Sequence, residues 1–494
     1  MISLITDESL AYPSPEDSYS PDESFPEYPF SHVSKQKNPV YRAVRECLSQ
    51  AGFDAPRFGT PAWNPLGEFI KPGNRVFVLC NFVLHRYPGE TADNFAAKCT
   101  HGAVLRPLLD YLIIATGRTG SVRFGNAPMQ NCRWTSVLSE TGADKIVSFY
   151  RDMGVSVEAN DLRLFVSDKN RFGGVKSVER RPESGGVAVD LKADSLMFDL
   201  DADPSVRYRI MNYSPKRLDD LHSQGRHVYV ISRRILEADV VLSLSKLKTH
   251  EKVGLTCALK SCVGTVGHKD SLPHHRFGSP KIGGDEYPPE KSGILQYVSA
   301  LHERVQKISP DSLHGNLMRI MDRVVRKVAE KLGPGINEGG WWGNDTAWRM
   351  VLDLARIVNY ATQDGRLSPV PVRRFLSFVD GIVAGEGEGP LFPNAFRRGL
   401  LLFSDNPVLS DYASSLLMGF DPDRIPMVKE AFRLKKFSLY DRELGKEIVI
   451  HNRKKCSVSD LASIPKQPFK TPIGWRKKLY PEHVPSLLEK NRAE

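Results

Sequence analysis

The run Lys246-Leu247-Lys248-Thr249-His250, continued by Gly254-Leu255-Thr256-Cys257-Ala258-Leu259-Lys260, concentrates side chains able to hold an anion and move a proton. Lys246, Lys248 and Lys260 supply positive charge. His250 is the one side chain of the run that trades a proton near neutral pH. Gly254 and its small neighbours let a helix N-terminus approach a ligand closely, and exposed amides there favour anions. The reading is His250 as general acid or base. Lys260 stabilises developing negative charge or anchors a cofactor covalently. A basic environment lowers the pKa of both groups.

Other polar residues fall where a parallel sheet would gather them. Asn81 follows Val76-Phe77-Val78-Leu79, and Asn126 follows Ser121–Phe124. Asp380 follows Phe375–Val379 and leads to Gly385-Glu386-Gly387-Glu388-Gly389-Pro390. That glycine run lacks the Gly-Lys-Ser/Thr ending of a phosphate loop, so Glu386 and Glu388 are either acid/base groups or exposed turn residues. His268, His274 and His275 are the candidate metal ligands, although their spacing matches no standard zinc pattern. With His250 they put four of the chain's 13 histidines between positions 250 and 275. Trp341-Trp342, set between glycines, would pack on a substrate or anchor a helical lid.

The elements that must position these groups alternate between strand and helix. Val76–Leu79, Ser121–Phe124, Val155–Glu158, Val240–Leu244, Phe375–Val379 and Gly399–Phe403 are short apolar runs at strand length. Val104–Ala115, Ser136–Met153, 291–332, 345–363 and Val408–Met418 carry apolar residues at helical spacing. The alternation predicts an α/β fold, a mostly parallel sheet with flanking helices and a helical cap insertion. Functional groups of such sheets collect past the C-terminal strand ends. The expected organisation is a flexible acidic Pro-rich arm at 1–40 and an α/β core at 41–267. A His/Gly loop and helical cap follow at 268–370, then the continued core at 371–432 and a basic C-terminal tail at 433–494.

Composition narrows the class. The chain has 494 residues, 41% hydrophobic and 26% charged, as in an ordinary globular protein. No apolar run reaches the ~18 residues of a membrane span, and the first residues lack the pattern of a secretory signal. Seven scattered cysteines without a Cys-x-x-Cys pair predict no iron–sulfur cluster and fit a reducing, cytoplasmic setting. The net charge of +10 is uneven: residues 433–494 hold fifteen Lys/Arg against seven Asp/Glu, and residues 1–40 hold two against seven. The tail is read as a solvated surface, with contact to an anionic membrane face or an acidic partner as the alternative. No nucleic-acid motif accompanies it.

These residues resemble the bacterial and archaeal "domain of unknown function 362" family. The matching pieces are Asn81, Cys99-Thr100-His101, Gly125-Asn126-Ala127-Pro128, Ala238-Asp239, Lys246-x-Lys248-Thr249-His250 and Ala258-Leu259-Lys260. Asp380-Gly381, Gly385-x-Gly387-x-Gly389-Pro390, Ser404-Asp405-Asn406-Pro407 and Met418-Gly419-Phe420-Asp421-Pro422 complete the set, which covers about 76–425. The resemblance adds Thr100, His101 and Thr249 to the candidate binding residues. Asn126 stands where the family usually has Asp, so a role needing a carboxylate there does not transfer. A weaker similarity, to the nickel-pincer lactate racemase family, rests on Ala238-Asp239, His250, Gly254, Thr256 and Lys260. It implies architecture and site location, with a lysine that tethers a cofactor and a histidine that moves a proton. Asn126-Ala127-Pro128 occupies the place of that family's second histidine, so racemisation and nickel do not transfer.

The expectation is an α/β enzyme acting on a small carboxylated or phosphorylated substrate. Asn81, Thr100, His101, Asn126, Lys246, Lys248, Thr249, Asp380 and Glu386 would bind, and His250 and Lys260 would catalyse. The alternatives are a non-catalytic metal- or ligand-binding module, and a scaffold docking an anionic partner through the basic tail.

Overall fold

The computed structural model describes residues 1–169, 175–180, 185–210, 213, 215–308, 312–332 and 336–482. Its centre is a ten-stranded, mostly parallel mixed sheet. In chain order the strands are β1 (Ile2–Thr6), β2 (Arg75–Cys80), β3 (Ser121–Asn126), β4 (Val157–Asp161), β5 (Val240–His250) and β6 (Gly254–Thr256). They continue as β7 (Arg374–Glu388), β8 (Phe392–Ser404), β9 (Val449–His451) and β10 (Lys454–Cys456). The spatial order is β10-β9-β1-β8-β7-β5-β2-β3-β4, with β6 paired to the end of β5. The pairs β7-β5, β5-β2, β2-β3 and β3-β4 are parallel. The pairs β8-β7 and β1-β8 are antiparallel.

The central strands are buried on both faces, which is why they read as runs that are apolar at nearly every position. Val76, Val78, Leu242, Leu244, Leu376 and Phe378 enter one core with the helices α1 (Pro39–Gln50) and α2 (Gly102–Thr116). Phe77, Leu79, Val241, Leu247, Phe375 and Val379 enter the other. That second core holds the short helix α3 (Ala258–Ser261) and the later helices α6 (Ala347–Tyr360) and α7 (Pro407–Leu417). Between them, α4 (Ser292–Gln306) and α5 (Leu313–Leu332) form a helical hairpin. The region expected as a cap therefore divides. His268–His274 stay with the strand ends, α4 and α5 pair with each other, and α6 packs on the sheet through Met350, Val351, Leu354, Ile357 and Val358.

Two expectations are corrected. Residues 1–40 are not a loose arm: β1 sits between β8 and β9, and Ile2 and Leu4 are fully buried. The arm then crosses the body, where the Tyr12 hydroxyl donates to Asp380 at 2.5 Å and Tyr19 is buried. Ile2, Leu4, Ile5, Leu10, Tyr19 and Phe25 of this segment are buried, so the Pro-rich composition makes it irregular without making it free. Likewise the basic tail, through residue 482, is not a free docking segment. It adds β9 and β10 to the sheet and buries Phe469, Trp475, Leu479 and Tyr480. Residues 483–494 lie outside the described residues.

Candidate functional site

The parallel strands β2, β3 and β5 end on one rim, and a cavity of about 180 Å³ opens there. Asn81 enters it just after β2, Asn126 from the end of β3 and His250 from the end of β5. The β5–β6 turn adds Glu251 and Lys252, α3 adds Lys260, and the loop beyond it adds Lys269, Leu272 and His274. Phe82, Val83, Met129, Ile210, Val263 and Leu391 supply the apolar wall.

The turn that presents His250 needs Gly254, whose φ of +86° other residues rarely adopt. Behind it, the Trp475 indole N–H donates to the Glu251 carbonyl at 2.6 Å. The lysine helix is held from below. Asp411, in the middle of α7, accepts the N–H of Ala258 at 2.7 Å and that of Leu259. Burial pushes the Asp411 carboxyl up to about 7. Its hydrogen bonds fix the register of the short helix carrying Lys260.

The electrostatics of the cavity are dominated by cations. Burial, with Lys252 nearby, lowers Lys260 to about 8. Among the described residues its Nζ has no hydrogen-bond or ion-pair partner. Burial and then Lys260 lower Lys269 well below the usual lysine value, and its Nζ donates to the Val263 carbonyl. Lys252 donates to the Glu338 carbonyl. Glu251 is the carboxylate of the lining, and it accepts from Asn337 at 2.7 Å and lies 4.0 Å from Lys252. Burial, with Lys260 as the nearest charge, drives His250 well below the ordinary histidine value. The same two causes take His274 to about 3. Both imidazoles are therefore neutral at physiological pH.

Their tautomers follow from their partners. The His250 Nδ1 accepts the Lys252 N–H at 3.0 Å, so its proton sits on Nε2. The His274 Nδ1 lies 2.8 Å from the Leu272 carbonyl, so it carries the proton and leaves a lone pair on Nε2. One ring offers a donor to the cavity chemistry and the other an acceptor.

The remaining sequence candidates lie elsewhere. Lys246 and Asp380 form a buried ion pair of 2.6 Å, and Lys246 also donates to the Tyr12 hydroxyl at 2.8 Å. His101 caps α2, accepting the Ala103 N–H at 3.2 Å, and stacks on Tyr12 with ring centroids 3.8 Å apart. Thr100 donates to the Leu244 carbonyl and accepts the Asn81 N–H, so it joins two strand ends. Lys248 is buried, held by the Lys98 carbonyl, and burial lowers it to about 7. Thr249 donates to the Gly387 carbonyl.

Asp380 was read as a strand-end residue, but β7 continues to Glu388 and pairs with β8 to its tip. The glycines there mark close approach rather than a loop: a Cβ on Gly389 would meet the Thr249 carbonyl at 2.0 Å. Glu386 faces the C-terminal segment, accepting the Lys470 N–H at 2.9 Å with the Lys470 ammonium 3.2 Å away. Of the metal candidates, His274 lines the cavity. His268 contacts Arg217 at 3.1 Å, and His275 lines a separate small hollow with Glu286. Among the described residues no group of three or more His, Cys, Asp or Glu is placed to hold a metal ion.

Sequence reasoning missed Lys252, Lys269 and Asp411. A carboxylate in the middle of the apolar helix Pro407–Leu417 was the available signal for the last of these. The lysines lie in turns, where nothing distinguishes them from solvated charges.

Residues 195–415 match the family model described as "Domain of unknown function (DUF362)". The DUF362 stretch supplies His250, Lys252, Lys260, Lys269, His274 and the supporting Asp411, whereas Asn81, Asn126 and Trp475 come from outside it. No curated protein matches the chain. A solved structure of a Thermotoga maritima protein aligns at 11% identity with a TM-score of 0.29, over 72% of this chain. The chain spans 54% of that protein's length.

Proposed function

We propose that the chain is an enzyme acting on a small anionic substrate, carboxylated or phosphorylated, in the cavity of His250 and Lys260. The carrying observation is the Lys260 ammonium, without a partner among the described residues, in one cavity with two neutral imidazoles, Lys252 and Lys269. A half-buried cation without a counter-ion carries a desolvation cost, and a bound anion offsets it. The roles follow from the tautomers. His274 takes a proton at Nε2, and His250 donates a hydrogen bond or a proton from Nε2. Lys260 stabilises the charge that develops, or, as a neutral amine near pH 8, condenses with a carbonyl or holds a cofactor covalently. The seven cysteines are all free thiols, which supports a reducing, cytoplasmic setting.

The test is calorimetric titration of the protein with a panel of small carboxylates and phosphate esters, alongside mass analysis of protein from its own host. Saturable anion binding that Lys260→Gln abolishes and neutral isosteres lack is the expected result. Failure of every anion to bind at millimolar concentration, with no adduct on Lys260, overturns the reading.

A further inference from the structure

Helix α5 is amphipathic in the reverse sense to a core helix. Leu313, Leu317, Ile320, Met321, Val324 and Val325 recur at three- and four-residue spacing and are exposed, Leu313 at 89%, Leu317 at 59% and Val324 at 57%. The opposite side turns inward with Arg319 and Asp322, both 6% exposed. There Asp322 accepts from His302 of α4 at 2.7 Å, and Arg319 donates to the Ile308 carbonyl. The hairpin thus consumes the polar side of α5 and leaves the apolar stripe to water. A contiguous exposed stripe of six large aliphatic side chains marks an interaction surface, because leaving it in water forfeits the gain of burial.

Charge selects the occupant. Apart from the inward pair, α5 carries Arg323, Arg326, Lys327 and Lys331 against Glu330 alone. A second copy would set this basic helix against itself. An acidic lipid surface would neutralise it and take the apolar stripe into the headgroup–acyl boundary. No helix among the described residues is long and apolar enough to cross a membrane, so α5 lies on the surface rather than spanning it. We propose that α5 docks the protein onto an anionic membrane, with the stripe Leu313–Val325 as the inserted face. Tyr297 of α4, 81% exposed, is a side chain suited to the same interface. The proposal does not depend on the chemistry of the cavity.

The experiment is sedimentation of the full chain with vesicles of phosphatidylcholine containing phosphatidylserine, and with phosphatidylcholine alone. Binding to the anionic vesicles is expected, weakening as salt rises past about 0.3 M. Leu317→Glu/Val324→Glu should lower the partition coefficient roughly tenfold or more, and Arg323→Glu/Lys327→Glu should remove the salt dependence. Leu317, Arg323 and Val324 are exposed, and circular dichroism checks that the variants stay folded. No binding to the anionic vesicles, or equal binding to neutral ones, overturns the proposal. So does a dimer in light scattering that Leu317→Glu/Val324→Glu dissolves, because the stripe would then belong to a second copy.

Discussion

His250 and His274 line one cavity from different elements and in opposite tautomers, each fixed by a backbone partner of its own Nδ1. His250 accepts from the Lys252 N–H, and His274 donates to the Leu272 carbonyl. Neither ring is held by a carboxylate. The Leu272 carbonyl raises His274 only in part, and burial first, then the surrounding cations, keeps both neutral. Binding an anion beside Lys260 would reverse that field and move both pKa values upward. On the proposed reading, the two rings become a proton-transfer pair when a charged ligand binds.

The expected sign can be read in His274. Its folded pKa of about 3 should rise in the presence of a saturating carboxylate or phosphate that contacts Lys260. NMR titration of the imidazole resonances, with His274→Gln to assign the peak, measures it. An unchanged pKa in the bound state would mean that ligand and imidazole are not neighbours.

Lys246 and Asp380, read from the sequence as site residues, are the buried ion pair that seats the N-terminal arm. Lys246→Met leaves Asp380 charged and without its cation, and should cost about 3–5 kcal/mol. Lys246→Met/Asp380→Asn should recover much of the loss, since both charges leave together. Tyr12→Phe should cost about 1–3 kcal/mol, because Asp380 and Lys246 each lose a partner. Chemical denaturation gives these values. Anion binding measured in parallel should change little, which separates this cluster from the cavity.

The C-terminal segment is expected to be integral to the site. Trp475 is 2% exposed, and its indole fixes the carbonyl of Glu251 next to His250. Trp475→Ala should destabilise by about 3–5 kcal/mol. Trp475→Phe keeps most of the ring volume and loses the hydrogen bond. It should therefore weaken ligand binding more than stability, as a comparison of titration and melting would show.

Strands β2 and β5 were legible because a doubly covered parallel strand is apolar at nearly every position: Val76–Leu79 is wholly apolar, and Val240–Leu244 is broken only by Ser243. Once those strands and β3 are placed, Asn81, Asn126 and His250 follow as their C-terminal neighbours. Strand β1 was not legible: Ile2–Thr6 is five residues long and pairs with residues some 400 positions away. The extension of β7 through Gly385–Glu388 was hidden because glycines there serve close packing while imitating a loop. Trp475 and Asp411 act on the site, and Tyr12 on the Lys246–Asp380 pair, across long sequence separations, and such pairings leave no local pattern.

Buried neutral histidines make the fold acid-sensitive. Burial lowers His101, His222 and His274 from 6.5 to about 3. Between those values the unfolded chain binds protons that the folded chain does not. The contribution of these three groups is therefore complete above pH 6.5 and falls as pH drops toward 3. His101→Asn keeps an N-cap acceptor for α2 and removes one titrating ring, so its stability should fall less steeply between about pH 6.5 and 4. Urea denaturation at a series of pH values tests this, and a slope equal to the wild type's would show that His101 does not contribute.

Lys260 carries the last expectation. Its pKa falls from 10.5 to about 8, through burial first and Lys252 second. The folded state thus releases a proton that the unfolded chain keeps between those values, and this group contributes stability that grows as pH rises from 8 to 10.5. Lys260→Met should melt higher than the wild type at pH 7, where the half-buried ammonium has no partner among the described residues, and the advantage should shrink by pH 10. The same pKa sets the chemistry of the amine. Labelling of Lys260 by a small acylating reagent, followed by peptide mass analysis, should show a midpoint near pH 8, well below that of exposed lysines. A bound anion should raise that midpoint by stabilising the ammonium. If Lys260 labels with the profile of a surface lysine and Lys260→Met melts lower at every pH, the amine is paired in solution and the cavity is not an anion site.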